Sequence, residues 1–206
     1  MSIRQQFISA ITANQTEFGL ELSAKTVESL ADYFELVQEN NPLLHLVGPC
    51  KPEEFAVRHV LESLAMAEFL PSDAQLADVG TGAGLPAVPC MIAREDLRAK
   101  LIESKEKKAA FLIGAVGALS ISTRAEVINH QFEEVRERDF QFVSCRALDK
   151  FIERLPRLLK WTGKRQFLFF GGPSLGEALE RRKAAFKARL LPMSEQRFLY
   201  IGKARR

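Results

Sequence analysis

Three glycines alternate in the stretch Gln75-Leu-Ala-Asp-Val-Gly-Thr-Gly-Ala-Gly-Leu-Pro86, directly after a short apolar run that contains Asp78. A Cβ at Gly80, Gly82 or Gly84 would keep a bulky ligand off the backbone or forbid the turn, so the spacing suits a loop that a ligand approaches closely. Pro86 stands where a helix opens and a missing N–H leaves no bond unmade, so a helix is expected from about Leu85. Its free N–H groups are expected to point at the ligand. The next apolar stretch, Ala99-Lys100-Leu101-Ile102, ends in Glu103, a carboxylate placed to accept hydrogen bonds from ribose hydroxyls. These residues describe a nucleotide-like cofactor site, with a ligand-free glycine turn as the plainer alternative.

The spacing separates two cofactor classes. A dinucleotide fingerprint reads Gly-x-Gly-x-x-Gly and holds a pyrophosphate on helix N–H groups. Here Leu85 stands where the third glycine of that fingerprint falls. Asp78 is unfavourable beside a pyrophosphate and favourable beside a cation. A loop of this form, with an acid at the tip of the second strand, resembles the S-adenosylmethionine (SAM) site of class I methyltransferases. SAM carries a cationic sulfonium and no phosphate. An NAD-dependent oxidoreductase is the competing class, and the chain offers no Tyr-Lys or His-acid motif for it.

Alternating strands and helices must position these residues. Strands are expected near 75–79, 99–103, 124–128, 140–145 and 165–170, with helices near 85–94, 105–119, 149–161 and 174–188. That alternation predicts an α/β fold, a mostly parallel sheet covered on both faces. Two last strands, about 190–194 and 197–203, lie too close for a crossover helix and should form an antiparallel hairpin. Before the sheet, Phe7, Ile8 and Ile11, then Val27, Leu30, Phe34 and Val37, recur at helical spacing. Ser23 is a credible N-cap. Asn40-Asn41-Pro42 should break the second helix, and a third should run from Pro52 until Pro71 closes it. The expected domains are a helical cap over 1–70 and a cofactor domain over 71–206.

Charge is uneven. Residues 1–70 hold 4 Lys/Arg against 10 Asp/Glu, whereas residues 154–206 hold 14 against 3. So basic a third, with Arg181-Arg182-Lys183, Lys187, Arg189 and Arg205-Arg206, points to phosphate contacts and hence nucleic acid. Lys105, Lys107 and Lys108 stand at a helix start, the unfavourable end for cations, which marks them as candidate RNA contacts. Cys50, Cys90 and Cys145 form no C-x-x-C pair and are expected as buried thiols in a reducing cytosol. His45, His59 and His130 lack metal-ligand spacing, so no metal is expected. No apolar run approaches the length of a membrane span, and the first residues lack the form of a secretory signal. The chain is expected in the cytoplasm, as a monomer.

The motifs resemble one family, the RsmG/GidB methyltransferases of bacterial small-subunit ribosomal RNA. The likeness rests on Val57-Arg58-His59 with Leu61-x-Ser63, on Asp78-Val-Gly-Thr-Gly-Ala-Gly-Leu-Pro86, and on Leu101-Ile-Glu-Ser104 with Lys107-Lys108 and Phe111-Leu112. It continues through Phe132-Glu133-Glu134, Val143-x-x-Arg146-Ala147 and Arg197. The resemblance implies a class I fold, a Rossmann-like seven-stranded sheet whose last strand is antiparallel. It also implies SAM as cofactor and transfer of its methyl group to N7 of a guanine in 16S rRNA. Cofactor contacts implied or read above are Asp78, Gly80, Gly82, Gly84, Leu85, Glu103, Phe132, Glu133 and Arg146, with Phe132 and Glu133 enclosing the adenine. Candidate RNA contacts are Arg58, His59, Lys107, Arg181, Arg182, Lys183 and Arg197. Guanine N7 has a lone pair and no proton to lose, so no general base is expected. Departures from the family pattern are His45-Leu46-Val47, Gln131, Gln141 and Gly171-Gly172, the last replacing a Lys-Gly pair. A non-catalytic homologue that binds rRNA or the ribosome is the alternative function.

Overall fold

The apolar spacing at the start of the chain forms helices, and capping residues set their ends. In the computed structural model, which describes residues 1–203, α1 runs Ile3–Asn14 behind a Ser2–Gln5 capping box. The helix α2 spans Ala24–Leu44, and the Ser23 side chain accepts the Thr26 N–H as its cap. Pro42 does not break α2 as expected. It lies in the last turn, and the helix ends only at His45, whose φ is +49°. A proline near a C-terminus forfeits little of the hydrogen-bond ladder, and the left-handed residue makes the actual stop.

The third helix, α3, joins Pro52–Glu54, a wider π-helical stretch Phe55–Leu61, and Glu62–Leu64. A single turn, Ala67–Phe69, then leads to the sheet. Phe7, Phe34 and Phe55 pack together, with ring centroids 4.7 Å apart for the first pair and 5.2 Å for the second.

The sheet follows as β1 (Gln75–Val79), α4 (Ala87–Ala93), β2 (Arg98–Ile102), α5 (Glu106–Ala118), β3 (Ala125–Ile128) and β4 (Phe142–Cys145). It ends with α6 (Phe151–Thr162), β5 (Gln166–Gly171), α7 (Pro173–Arg181), β6 (Ala185–Leu190) and β7 (Phe198–Lys203). Strand order is β3-β2-β1-β4-β5-β7-β6. Strands β1 to β5 pair in parallel, and β7 lies antiparallel between β5 and β6.

The hairpin is thus present, with its first strand earlier than expected. The helix predicted to residue 188 stops at Arg181, and residues 185–190 form the strand. Ala184 and Ala185 have good helix propensity, yet pairing with β7 from Ala185↔Lys203 to Leu190↔Phe198 overrides it. Lys183, at φ +54°, makes the turn between them.

Strand alternation gives the sheet two apolar faces. Leu76, Leu101, Phe142, Leu168 and Phe170 join α4, α5 and the first three helices in one core. Ala77, Ile102, Val143, Phe167 and Phe169 join α6 and α7 in the other. The N-terminal helices therefore share their core with the sheet face that they cover.

Their second link is ionic. Glu62 on α3 is 1% exposed. Its carboxylate meets Arg146 Nη2 at 3.0 Å and Arg197 Nε at 2.6 Å. Arg146 follows β4 and Arg197 precedes β7, so one carboxylate ties α3 to two strand ends. Removing one partner of a buried ionic cluster leaves unpaired charge, which costs about 3–5 kcal/mol. Glu62→Ala should therefore lower the urea midpoint by the equivalent of that loss at unchanged slope. A midpoint like that of the wild type would show that the cluster contributes nothing to holding the helices on the sheet.

Candidate cofactor and substrate site

At the carboxyl ends of β1, β2 and β4, where ligands settle in open α/β sheets, lies a cavity of about 540 Å³. Gly80, Thr81, Gly82, Ala83 and Leu85 form its floor, and Glu103 with Lys105 forms one wall. The segment Arg146–Asp149 bounds another side, and His45–Pro49 with His59 from the N-terminal helices closes over it.

The glycines divide their work. Gly82, at φ +57°, lines the cavity, and a Cβ there would meet nothing closer than the Gly80 carbonyl at 3.9 Å. Gly84, at φ +98°, has no such room, because a Cβ there would meet Val88 Cγ2 at 2.6 Å. It serves the close packing of loop on helix. The Glu103 carboxylate, 6% exposed, accepts the Gly82 N–H at 3.1 Å and the Lys105 N–H at 2.8 Å. Each oxygen takes one bond and keeps lone pairs for hydroxyl donors. From the other side, the buried Tyr33 hydroxyl donates to the Ala83 carbonyl at 3.1 Å, fastening α2 to the loop.

Asp78 lies beneath the loop, fully buried, rather than on the cavity wall. It accepts hydrogen bonds from Thr81 Oγ1 and Ser144 Oγ, both at 2.6 Å, and from the Ala87 N–H. The helix expected from Leu85 begins at Ala87. One of its first N–H groups is thus spent on this carboxylate instead of being aimed outward. Burial pushes the Asp78 carboxyl up from 3.8 to about 7, against the pull of its three donors.

Arg146 is committed to α3. Its Nη1 donates to Ser63 Oγ at 3.1 Å and to the His59 carbonyl at 3.4 Å, and its Nη2 to Glu62 and to the Arg58 carbonyl. The accepting carbonyls belong to the π-helical stretch, a departure from α geometry that recurs at functional sites. The His59 ring packs on Phe55, with centroids 5.1 Å apart. Its Nδ1 is buried without a partner. Burial, then the charges of Arg146, Arg58 and Arg197, lower this imidazole to about 3, so it is neutral at physiological pH.

The structure thus gathers Gly80, Gly82, Leu85, Glu103, Arg146 and His59 around one cavity, with Asp78 and Gly84 just below. Phe132 stands apart, 2% exposed in the core against Trp161, with Arg154 over its ring at 4.8 Å. Glu133 pairs with Arg154 at 2.8 Å, and Arg154 is what reaches the cavity. Arg58 pairs with Glu54, and Arg197 with Glu62. Lys107 borders a groove between α2 and α5, away from the cavity. Arg181, Arg182 and Lys183 lie at the other end of the sheet, because β6 starts beside Lys203 and Gln166. Arg205 and Arg206 lie outside the described residues.

Sequence reasoning missed Tyr33, Glu62 and Arg154, whose partners are 50, 84 and 21 residues away. Spacing carries no signal for pairs so distant. Among the described residues no group of three His, Cys, Asp or Glu is placed to hold a metal, and no helix is long and apolar enough to cross a membrane.

Comparison with known proteins adds to this geometry. Residues 26–198 match the family described as GidB, rRNA small subunit methyltransferase G. The ribosomal RNA small subunit methyltransferase G of Pelotomaculum thermopropionicum is 36% identical over 180 residues, 83% of this chain and 74% of that protein. Its counterpart in Sorangium cellulosum is 35% identical over 148 residues, 67% of this chain and 60% of that one. Among solved structures, the mitomycin 7-O-methyltransferase MmcR aligns with TM-score 0.61 at 14% identity, covering 84% of this chain and 60% of its own. A ribosomal protein L11 methylase from Lactobacillus delbrueckii subsp. bulgaricus aligns with TM-score 0.57 at 14% identity, covering 72% and 79%. These likenesses place the fold among class I methyltransferases.

Two outcomes test the floor of the cavity. Gly82→Asp sets a second carboxylate beside Glu103 and should abolish SAM binding, whereas Tyr33→Phe, which loses one loop anchor, should weaken it by about fivefold through a bond worth on the order of 1 kcal/mol. Calorimetric titration reads both, and normal affinity in Gly82→Asp would remove the loop from the site.

The Asp78 shift also fixes a sign. Its folded pKa lies above its ordinary value, so its contribution to stability is complete below about pH 4 and is lost as pH rises through about 7. Asp78→Asn should lack that decline in denaturation measured across pH 4–8. The same decline in both proteins would assign it to another group.

Proposed function

This chain belongs to the rRNA small subunit methyltransferase G family, and from that premise we propose that it methylates N7 of a guanine in 16S rRNA. It is a SAM-dependent methyltransferase of class I fold. One observation carries the site assignment. The Glu103 carboxylate and the open backbone at Gly82 meet at the floor of a 540 Å³ cavity, a fit for ribose hydroxyls beside close-approaching backbone. SAM, when bound, supplies an electrophilic methyl group on a sulfonium.

The residues of the chain bind and orient. Gly80, Gly82 and Leu85 offer backbone and apolar contact, and Glu103 takes hydroxyl donors. Asp78, in the layer below, contributes negative charge toward a cation when ionised. His59, at the roof and neutral, faces the acceptor without adding positive charge against a methylated, cationic base. Arg146 and Arg197, each held by Glu62, keep that roof in place. Holding a nucleophile in line with a methyl group is catalysis by proximity and orientation. A guanine N7 lone pair requires no proton removal, so the transfer calls for no general base. Substrate on the small ribosomal subunit implies a cytoplasmic protein, and among the described residues no feature demands more than a monomer.

At the tip of β5, a Cβ on Gly171 would stand 2.6 Å from Leu175 Cδ2, so the family lysine has no vacant place here. Methyl transfer must therefore proceed without it. Incubating the protein with labelled SAM and small subunits lacking native N7 methylation should place label on a guanine N7 of 16S rRNA. Absence of transfer by folded protein that binds SAM and subunits would overturn the reading in favour of a non-catalytic rRNA-binding homologue.

A further inference from the structure

The N-terminal helices cover one face of the sheet, and with 4 Lys/Arg against 10 Asp/Glu in residues 1–70 that covering is acidic. The other face carries α6 and α7, within a segment of 14 Lys/Arg against 3 Asp/Glu. Its cations fall into two groups. Arg138 and Arg165 lie over Trp161 and Phe140 and donate to backbone carbonyls, so they are spent on packing. Arg157, Lys160 and Lys164 are exposed, and among the described residues none has a carboxylate within 4.0 Å.

Their positions make a line. Arg157 and Lys160 are three apart on α6, on one helix face, and Lys164 follows just past the helix end at Thr162. At the near end, Arg154 is one turn back and lines the cofactor cavity. At the far end, α6 delivers its last residues beside the start of β5. Arg182 and Lys183, also exposed and unpaired among the described residues, lie toward that same end of the sheet. From Arg154 to the helix end at Thr162 the rise is about 12 Å at 1.5 Å per residue. The helix dipole accounts for Lys160 in the last turn. It does not account for Arg157 in the middle or for Lys164 beyond.

We propose that Arg157, Lys160 and Lys164, continued by Arg182 and Lys183, form a track for an RNA phosphodiester backbone leading away from the cavity mouth at Arg154. The proposal rests on the reading of rRNA as substrate. It places the main backbone contact on the face that carries α6 and α7, and it gives the run at 181–183 a place despite its distance from the cavity. Phosphate contacts of this kind position a substrate and confer no base preference.

The test is the salt dependence of binding to a 16S rRNA transcript. Each neutralised contact to a single strand removes about 0.7 from the slope of log K against log salt. R157Q/K160Q/K164Q should therefore flatten the slope by about two and weaken binding by about tenfold or more near physiological salt. SAM affinity and melting temperature should hold, since these side chains touch neither core nor cavity. R157K/K160R/K164R, which keeps the charge, should bind as the wild type does. An unchanged slope in the neutralised protein would overturn the track and leave a solvated helix face, as would equal loss in the charge-conserving variant. The enzymatic reading fails separately, if wild-type protein transfers no methyl group to subunits while its binding to the transcript still depends on these three residues.

Discussion

A single buried carboxylate governs how the two parts of this chain meet. Glu62 sits nearly inaccessible between the largely buried Arg146 and the partly exposed Arg197. Charge removed from water is costly unless paired and hydrogen-bonded. The cluster meets this condition by enlisting Ser63 and the carbonyls of Arg58 and His59 as further acceptors for Arg146. Three elements are thereby fixed at one point: α3, the tip of β4 and the approach to β7. The roof of the cavity inherits its position from that point, including the neutral histidine it presents.

The floor is fixed by a different device. Asp78 gathers Thr81, Ser144 and the first N–H of α4, so loop, neighbouring strand and helix share one acceptor. Glu103 holds the loop from the strand side and Tyr33 from the helical side. A glycine-rich loop is intrinsically free, and losing that freedom on ligand binding is unfavourable. Here the loss has been taken during folding. Acceptors do the restraining while the ligand-facing backbone at Gly82 stays clear.

Much of this was legible in the sequence because it is local. The glycine spacing, Pro86 and the acid after the second strand each lie within a dozen residues, and the strand-helix alternation around them stands in the structure. What was not legible depends on distance. Pairing with β7 turned residues 185–188, expected as the end of a helix, into part of an edge strand, and the last turn of α2 absorbed Pro42. Asp78 stands in the right motif, yet nothing in the motif says whether it faces a cavity or the packing beneath it; only Ser144, 66 residues on, decides that. Phe132 likewise has the chemistry of a stacking platform, and Arg154 lies over its ring while Trp161 packs against it.

The strand order has a consequence in time. A ribosome delivers this chain from its amino end at roughly 5–20 residues per second. The strand made last, β7, is not at the rim of the sheet but between β5 and β6. Until Phe198–Lys203 has emerged, β6 has no neighbour to pair with, and the right-hand edge of β5 stands open with its backbone groups unmatched. Leu199 and Tyr200, which finish the two apolar cores, arrive in the same final residues, as does Arg197, the second partner of Glu62. The six residues of β7 therefore close the edge of β5, give β6 its neighbour and add to both apolar faces at once, with the second partner of the buried acid directly before them.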